Sequence, residues 1–324
     1  MTGVQTCALP ILDEFQQKYR SVNKQYSFYT YLDELVQKLI DTNRVGYANS
    51  HKELKRILNR FQNKDFSFTE INHAFLRKIE QFLRERGVGE NSMGLYFRTM
   101  RAVYNKAVAD GVVKKENNPF LDFKVSAFKA KTQKRAITKE DVYKFIAVDV
   151  EEGSYPFHAK NFFLFSYYCS GMNFIDAANL SWTDINSKGI LHYERIKTGD
   201  IFDIKLLEPA VKILDYYRQF QSDNYIFPFL NKSKHTTPVI IDNRLKKVRK
   251  RINGELKKLA VLAGIETDLT TYVARHTYAT VMKRSGVSLA MISESMGHES
   301  EKTTMVYFDS FEKDELYEAS KNLL

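Results

Sequence analysis

From residue 28 to residue 107, apolar positions recur at the spacing of helices. Phe28 to Ile40 reads as one helix. Ala48 to Phe61 reads as a second, with Leu54, Ile57, Leu58 and Phe61 on one face, the pattern of a stripe turned toward a core. Phe75, Ile79, Phe82 and Leu83 make a third stripe that Gly87 closes, because glycine readily takes the left-handed turn that ends a helix. Tyr96, Met100, Val103, Tyr104 and Ala107 make a fourth, which stops near Gly111. Asn118-Pro119 then blocks further helix, since a residue before proline is pushed out of the helical region. The pattern predicts an all-helical unit over residues 26–121. Residues 122–135 show little periodicity and carry Lys124, Lys129, Lys131, Lys134 and Arg135. They read as a basic linker, either a solvated spacer or a strap along a polyanion backbone.

A second pattern begins at Thr138, where Thr138 and Asp141 have the spacing of a helix-capping box ahead of Val142, Phe145 and Ile146. Tyr155 to Ser170 is apolar enough to form a central core helix. Ile190 to Leu206 is the clearest strand signal, two strands around Thr198-Gly199-Asp200. Helices are expected at Pro209 to Phe220, Asp242 to Ala263 and Thr271 to Arg284, and shorter ones at Ser288 to Met296 and Glu301 to Tyr307. An acidic tail with Asp309, Glu312, Asp314, Glu315 and Glu318 follows. The fold class is therefore mainly α with a small β-sheet: a helical domain, then a mixed α/β domain over residues 136–324.

Charge sharpens this division. The 324-residue chain has a net charge of +10. Residues 12–135 hold 24 Lys and Arg against 14 Asp and Glu, whereas residues 136–324 hold 25 of each. A basic domain beside a neutral one suggests a polyanion grip joined to a part that does chemistry. The first eleven residues, MTGVQTCALPI, read as translated sequencing adaptor, with 12–25 as a truncated N-terminal segment. Excluding them leaves Cys169 as the one native cysteine, so no disulfide framework is expected and a reducing compartment fits. No run of 18 apolar residues suggests a membrane span. His-Glu-x-x-His, paired cysteines and a phosphate-cradling glycine loop are all absent from the sequence, so no metal or nucleotide cofactor is implied.

Two motifs lie late in the chain. One is Tyr272-Val273-Ala274-Arg275-His276-Thr277-Tyr278-Ala279-Thr280. The other is Met296-Gly297-His298, followed by Tyr307 nine residues on. They resemble the second and third boxes of the tyrosine recombinase or phage integrase family, and the resemblance spans roughly residues 26 to 310. It implies a helical core-binding domain and a catalytic domain closing as a clamp on double-stranded DNA. It further implies a site-specific recombinase that cleaves and rejoins DNA through a 3′-phosphotyrosyl intermediate. Tyr307 would be the nucleophile. The fork of Arg275 would hold phosphate oxygens. His298 would bond a phosphate oxygen or take the tyrosine proton, and Lys197 in the hairpin would protonate the leaving oxygen. The expected setting is the bacterial cytoplasm, associated with the nucleoid. Homotetramers on two DNA sites and accessory DNA-bending proteins are the expected assembly.

The sequence departs from the family pattern at two places. Gly171-Met172-Asn173-Phe174-Ile175-Asp176 puts Asn173 where the first box has its arginine, and Tyr272 stands where the second box has histidine. A tyrosine hydroxyl can still bond a phosphate oxygen, but losing the arginine removes a full charge. Arg195, two residues before Lys197, would face the same way on one strand and supply that charge. In the segment Arg244 to Lys258, Arg244, Lys247 and Arg251 share a helix face suited to a DNA backbone. His276 reads as a structural neighbour of Arg275. An alternative is kept open: a catalytically weakened relative that binds DNA and regulates excision. The short matches Ser126-x-x-Lys129, Lys197-Thr198-Gly199 and Ser222-Asp223-Asn224 suggest a penicillin-binding enzyme, but their order is wrong for one.

Overall fold

A computed structural model describes residues 27–130, 135–220, 224–298, 300–305, 307 and 321. Lys131, Lys134 and the acidic tail residues Asp309 to Glu318 therefore lie outside the described residues. The chain divides into two compact units between residues 132 and 133.

The first unit is helical. It contains α1 (Phe28–Asp41), α2 (Val45–Phe61), α3 (His73–Glu85) and α4 (Glu90–Ala109). Ser27 and Asn72 cap α1 and α3 by accepting the Thr30 and Phe75 amides, which satisfies donors that a helix start leaves open. The stripes read from the sequence meet in one core that includes Leu54, Leu58, Leu76, Leu83, Phe97 and Tyr104.

The expected linker is not a spacer over its first part. Phe120, Phe123, Val125 and Phe128 are buried in this same core, and Phe128 stacks on Phe97 at 4.8 Å. Asn91 exchanges hydrogen bonds with Ala130. Two short 3-10 turns, Pro119–Leu121 and Val125–Ala127, space these aromatics irregularly, so neither helical nor strand periodicity reveals them. The first unit thus continues well past residue 121.

The second unit is built around α6. Its helices are α5 (Lys139–Ala147), α6 (Tyr155–Tyr168), α7 (Phe174–Asn179), α8 (Glu208–Arg218), α9 (Pro238–Leu262), α10 (Thr271–Arg284), α11 (Leu289–Ser295) and α12 (Glu301–Met305). Between α7 and α8 lies one antiparallel hairpin, β1 (Ile190–Glu194) and β2 (Ile201–Lys205), with Tyr193 opposite Phe202. The structure is thus mainly helical with a small two-stranded sheet. Ser154 caps α6, which buries Ala159, Phe162, Phe163 and Phe165 completely and packs against α8, α9 and α10. A second, smaller cluster of Ala279, Ile292, Met296 and Tyr307 joins α10 to α11 and α12.

Two left-handed glycines set the approach of these elements. Gly171 has φ +64°, and a Cβ there would lie 2.8 Å from the Arg275 Cα; at Gly297, φ is +62° and a Cβ would strike the Phe202 ring. Only glycine combines that backbone geometry with no side chain.

The aromatic extension of the first core yields a test. Phe128→Ala should destabilise the protein by about 3–5 kcal/mol, the usual cost of truncating a buried phenylalanine, read by denaturant unfolding. A loss near zero would mean that residues 122–130 are only a spacer.

Candidate active site

The C-terminal end of α11 organises this site. Ser288 caps its start, and Gly297 ends it with the Gly297 amide bonding the Glu294 carbonyl and the His298 amide bonding the Ser293 carbonyl. Carbonyls of a last helical turn lack intrahelical partners and lie at the negative end of the helix dipole. Here Met296 O accepts Arg275 Nη2 at 2.7 Å and Arg195 Nη2 at 3.0 Å, and Gly297 O accepts Arg195 Nη1 at 2.9 Å. Arg275 also donates to Gly171 O at 3.0 Å, so α10, the first-box loop and α11 are tied by one side chain.

Arg275 and Arg195 are 3% and 6% exposed. Among the described residues, one carboxylate pairs with them: Asp176 Oδ2 lies 3.8 Å from Arg195 Nε, while Asp176 Oδ1 accepts the Ile196 amide. Burial pushes the Asp176 carboxyl up and the Arg275 guanidinium down, since leaving water disfavours either charged form.

Tyr307 is buried at 9% exposure, and its hydroxyl lies 3.0 Å from that of Tyr272. Its ring stacks on His298 with centroids 5.3 Å apart and packs on His276 at 4.8 Å. The Arg275 guanidinium is 5.6 Å from the ring centre. Burial and the Tyr307 contact hold the Tyr272 phenol above its ordinary value. His276 thus packs against both tyrosines, consistent with a structural neighbour.

His298 accepts at Nε2 from Arg275 Nη2, at 2.9 Å, and its Nδ1 lies 2.7 Å from Thr304 Oγ1. Burial, then Arg275 and Arg195, lowers its pKa to about 4, because cationic neighbours oppose a further positive charge.

All six predicted catalytic positions, Tyr307, Arg275, His298, Lys197, Arg195 and Tyr272, line one open cleft of about 990 Å³ together with Asn173 and Asp176. The reason given for Arg195 does not hold. Arg195 lies just beyond β1, and Lys197 sits in the turn that follows, closed by the Arg195 amide to Asp200 O. Strand alternation therefore does not apply: Arg195 turns inward while Lys197 is exposed. The cleft, not a shared strand face, brings them together.

The basic helix face is also revised. Arg244 is half-buried and its Nε donates to Phe229 O, while Lys247 and Arg251 are exposed. On α9 it is Arg249 and Asn253 that line the cleft. Both border the buried stripe of Leu245, Val248, Ile252 and Leu256, a position at which a polar side chain turns partly toward the protein. Asn253 also accepts the Thr271 amide and so caps α10 in place of a local side chain. Lys129, in the first unit, and Arg135, in the second, are exposed and line none of the cleft.

Residues 27–125 match the phage integrase SAM-like domain, and residues 135–314 match the phage integrase family. A tyrosine recombinase of Thermosipho africanus is 25% identical over 265 residues, 78% of this chain and 86% of the relative. Tyrosine recombinase XerA of Pyrococcus furiosus is 25% identical over 226 residues, 69% of this chain and 72% of the relative. In fold, the second unit and its helical partner are similar to lambda integrase (75–356), solved as a dimer bound to a COC′ core site. That match has TM-score 0.61 and 16% identity, and covers 89% of this chain and 100% of that one. The Tn1549 transposon integrase in complex with circular intermediate DNA gives TM-score 0.61 and 16% identity, covering 92% of this chain and 100% of that one. This chain belongs to the phage integrase family. It is a site-specific recombinase acting on DNA.

The lowered His298 pKa has a defined sign in stability. The unfolded imidazole takes up its proton near 6.5 and the folded one near 4. Stability is therefore full above pH 6.5 and is lost as pH falls toward 4. His51 and His158 are shifted the same way by burial, so a His298→Asn variant should retain part of this acid sensitivity. Its melting temperature should drop less than the wild type's between pH 7 and pH 4.5, by about 2–4 °C, corresponding to roughly 1 kcal/mol after allowance for solvent screening. Equal drops in the two proteins would contradict a neutral folded His298.

Proposed function

We propose that this protein cuts and rejoins duplex DNA through a 3′-phosphotyrosyl intermediate on Tyr307. The observation that carries this reading is the buried Tyr307 phenol beside the Arg275 guanidinium, which shares one helix-end carbonyl with Arg195. The Tyr307 oxygen attacks phosphorus, the bond to the 5′ oxygen breaks, and Lys197 on the exposed turn gives that oxygen a proton. The incoming 5′ hydroxyl reverses these steps, so the bond energy is kept and no ATP is consumed.

Arg275 and Arg195 together form the clamp on the phosphate oxygens, Arg195 supplying the charge that Asn173 lacks. A full positive charge is worth more than an amide here, because the transition state gathers negative charge in a site partly closed to water. Tyr272 bonds the nucleophile and, once DNA is bound, a phosphate oxygen. Arg249, Lys247 and Arg251 on α9 serve the DNA backbone, as do Lys129 in the first unit and Arg135 in the second, where they add affinity and salt dependence rather than sequence choice. Lys131 and Lys134 are proposed for the same role from sequence alone. Lambda integrase is known as a tetramer bound to a Holliday junction; by analogy this chain works as a homotetramer across two DNA sites.

A nicked suicide duplex, from which the cut end diffuses away, traps the adduct. Wild-type protein should accumulate a covalent species on denaturing gels, and Tyr307→Phe should form none. Arg195→Ala should slow adduct formation by about 100–1,000-fold, the scale of losing one preorganised transition-state donor, with DNA binding retained. Near-normal cutting by Arg195→Ala would remove it from the clamp. Wild-type protein that binds its cognate site tightly yet forms no adduct would instead favour the DNA-binding regulator.

A further inference from the structure

We propose that Thr304 is a positioning residue that holds His298 as its Nδ1–H tautomer, so that Nε2 enters the reaction as the proton acceptor for Tyr307. This rests on the reading of Tyr307 as nucleophile.

The tautomer follows from the partners. A guanidinium nitrogen can only donate, so Nε2, 2.9 Å from Arg275 Nη2, must be the accepting nitrogen. The ring proton then resides on Nδ1, and its partner there among the described residues is Thr304 Oγ1 at 2.7 Å. Thr304 is fully buried, so its hydroxyl cannot be replaced by water without a rearrangement. A hydrogen bond to one ring nitrogen decides what the other does.

Thr304 also acts on the nucleophile. Its carbonyl accepts the Tyr307 amide at 2.9 Å, so a single residue fixes the turn that carries Tyr307 and the imidazole stacked on the Tyr307 ring. With Tyr272 in the second box, the neighbouring phenol is a poor proton acceptor. His298 is the imidazole in the cleft.

DNA entry would free Nε2 for this task. An anionic phosphate is a stronger acceptor for Arg275 than a neutral imidazole. As Arg275 turns to the phosphate, the Nε2 lone pair is released. The Tyr307 O–H bond then breaks with its proton passing to Nε2 while the O–P bond forms, and the 5′ oxygen departs with a proton from Lys197. Rejoining returns the Nε2 proton to the phenol.

The test joins spectroscopy to single-turnover cutting. In ¹⁵N-histidine-labelled wild-type protein at pH 7, with the His298 signals assigned by their absence in His298→Gln, Nδ1 should carry the proton and Nε2 should not. On the nicked suicide duplex, Thr304→Val, which keeps the shape but lacks the acceptor, should form adduct about 10–100-fold more slowly at saturating protein, the usual penalty for losing an orienting partner. Thr304→Ser should restore the rate to within about 3-fold on the same scale and keep the Nδ1–H signature. A wild-type imidazole protonated at Nε2 overturns the proposal even if Thr304→Val fails to fold. Wild-type cutting by Thr304→Val, or equal slowing by Val and Ser, overturns it as well. Adduct formation by Tyr307→Phe would instead overturn the underlying nucleophile assignment, which separates the two failures.

Discussion

Two guanidiniums share one carbonyl oxygen, and the rest of the site depends on that. Met296 O, at the end of α11, accepts both Arg275 and Arg195. Placing two cations beside each other in a protein interior is unfavourable unless negative charge is near, with a cost on the order of several kcal/mol for each buried ion. The last carbonyls of α11 supply partial negative charge, and Asp176 supplies one formal charge. No second carboxylate among the described residues pairs with either guanidinium. Among the described residues, Arg195 Nε has no hydrogen-bond partner. A buried, under-neutralised pair at the floor of an open cleft is the electrostatic complement of a phosphodiester.

The same helix end also fixes geometry. Gly297 must be glycine because the Phe202 ring of the hairpin fills the space of its Cβ, and Gly171 must be glycine because α10 passes at Arg275. These close approaches bring β2 of the hairpin against the end of α11 and the first-box loop against the second-box helix. Tyr307, the proposed nucleophile, is positioned from the same place: it packs with Met296 and Ile292 in one small cluster. Chain segments more than a hundred residues apart thus converge through short contacts with backbone carbonyls.

Much of this was legible in the sequence because function here is written as spacing. Arg275 on α10, His298 just past α11 and Tyr307 just past α12 lie within 33 residues of one another, so local distances carry the candidate site. The helical stripes of the first unit were equally readable, since each follows a 3.6-residue period. Other features were hidden for physical reasons. Phe123 and Phe128 enter the core from just beyond short 3-10 turns, which impose no period long enough to detect. Arg249 looked like one more lysine or arginine on a basic helix, and only its place beside the buried stripe distinguishes it. Thr304 is a small residue whose role depends on a ring nitrogen six positions earlier.

Arg195 shows how a correct location can come from an incorrect premise. Alternation along a strand predicted that it would point with Lys197, yet the strand ends at Glu194 and the two side chains part, one inward and one exposed. The inward turn is dictated by what the guanidinium finds there: two helix-end carbonyls, one carboxylate and the face of Phe202 at 5.3 Å. Asn173 at the start of α7 lines the same cleft. On the proposed reading, Arg195 replaces from another element the charge that Asn173 lacks, because a transition state responds to where charge lies, not to which segment delivers it.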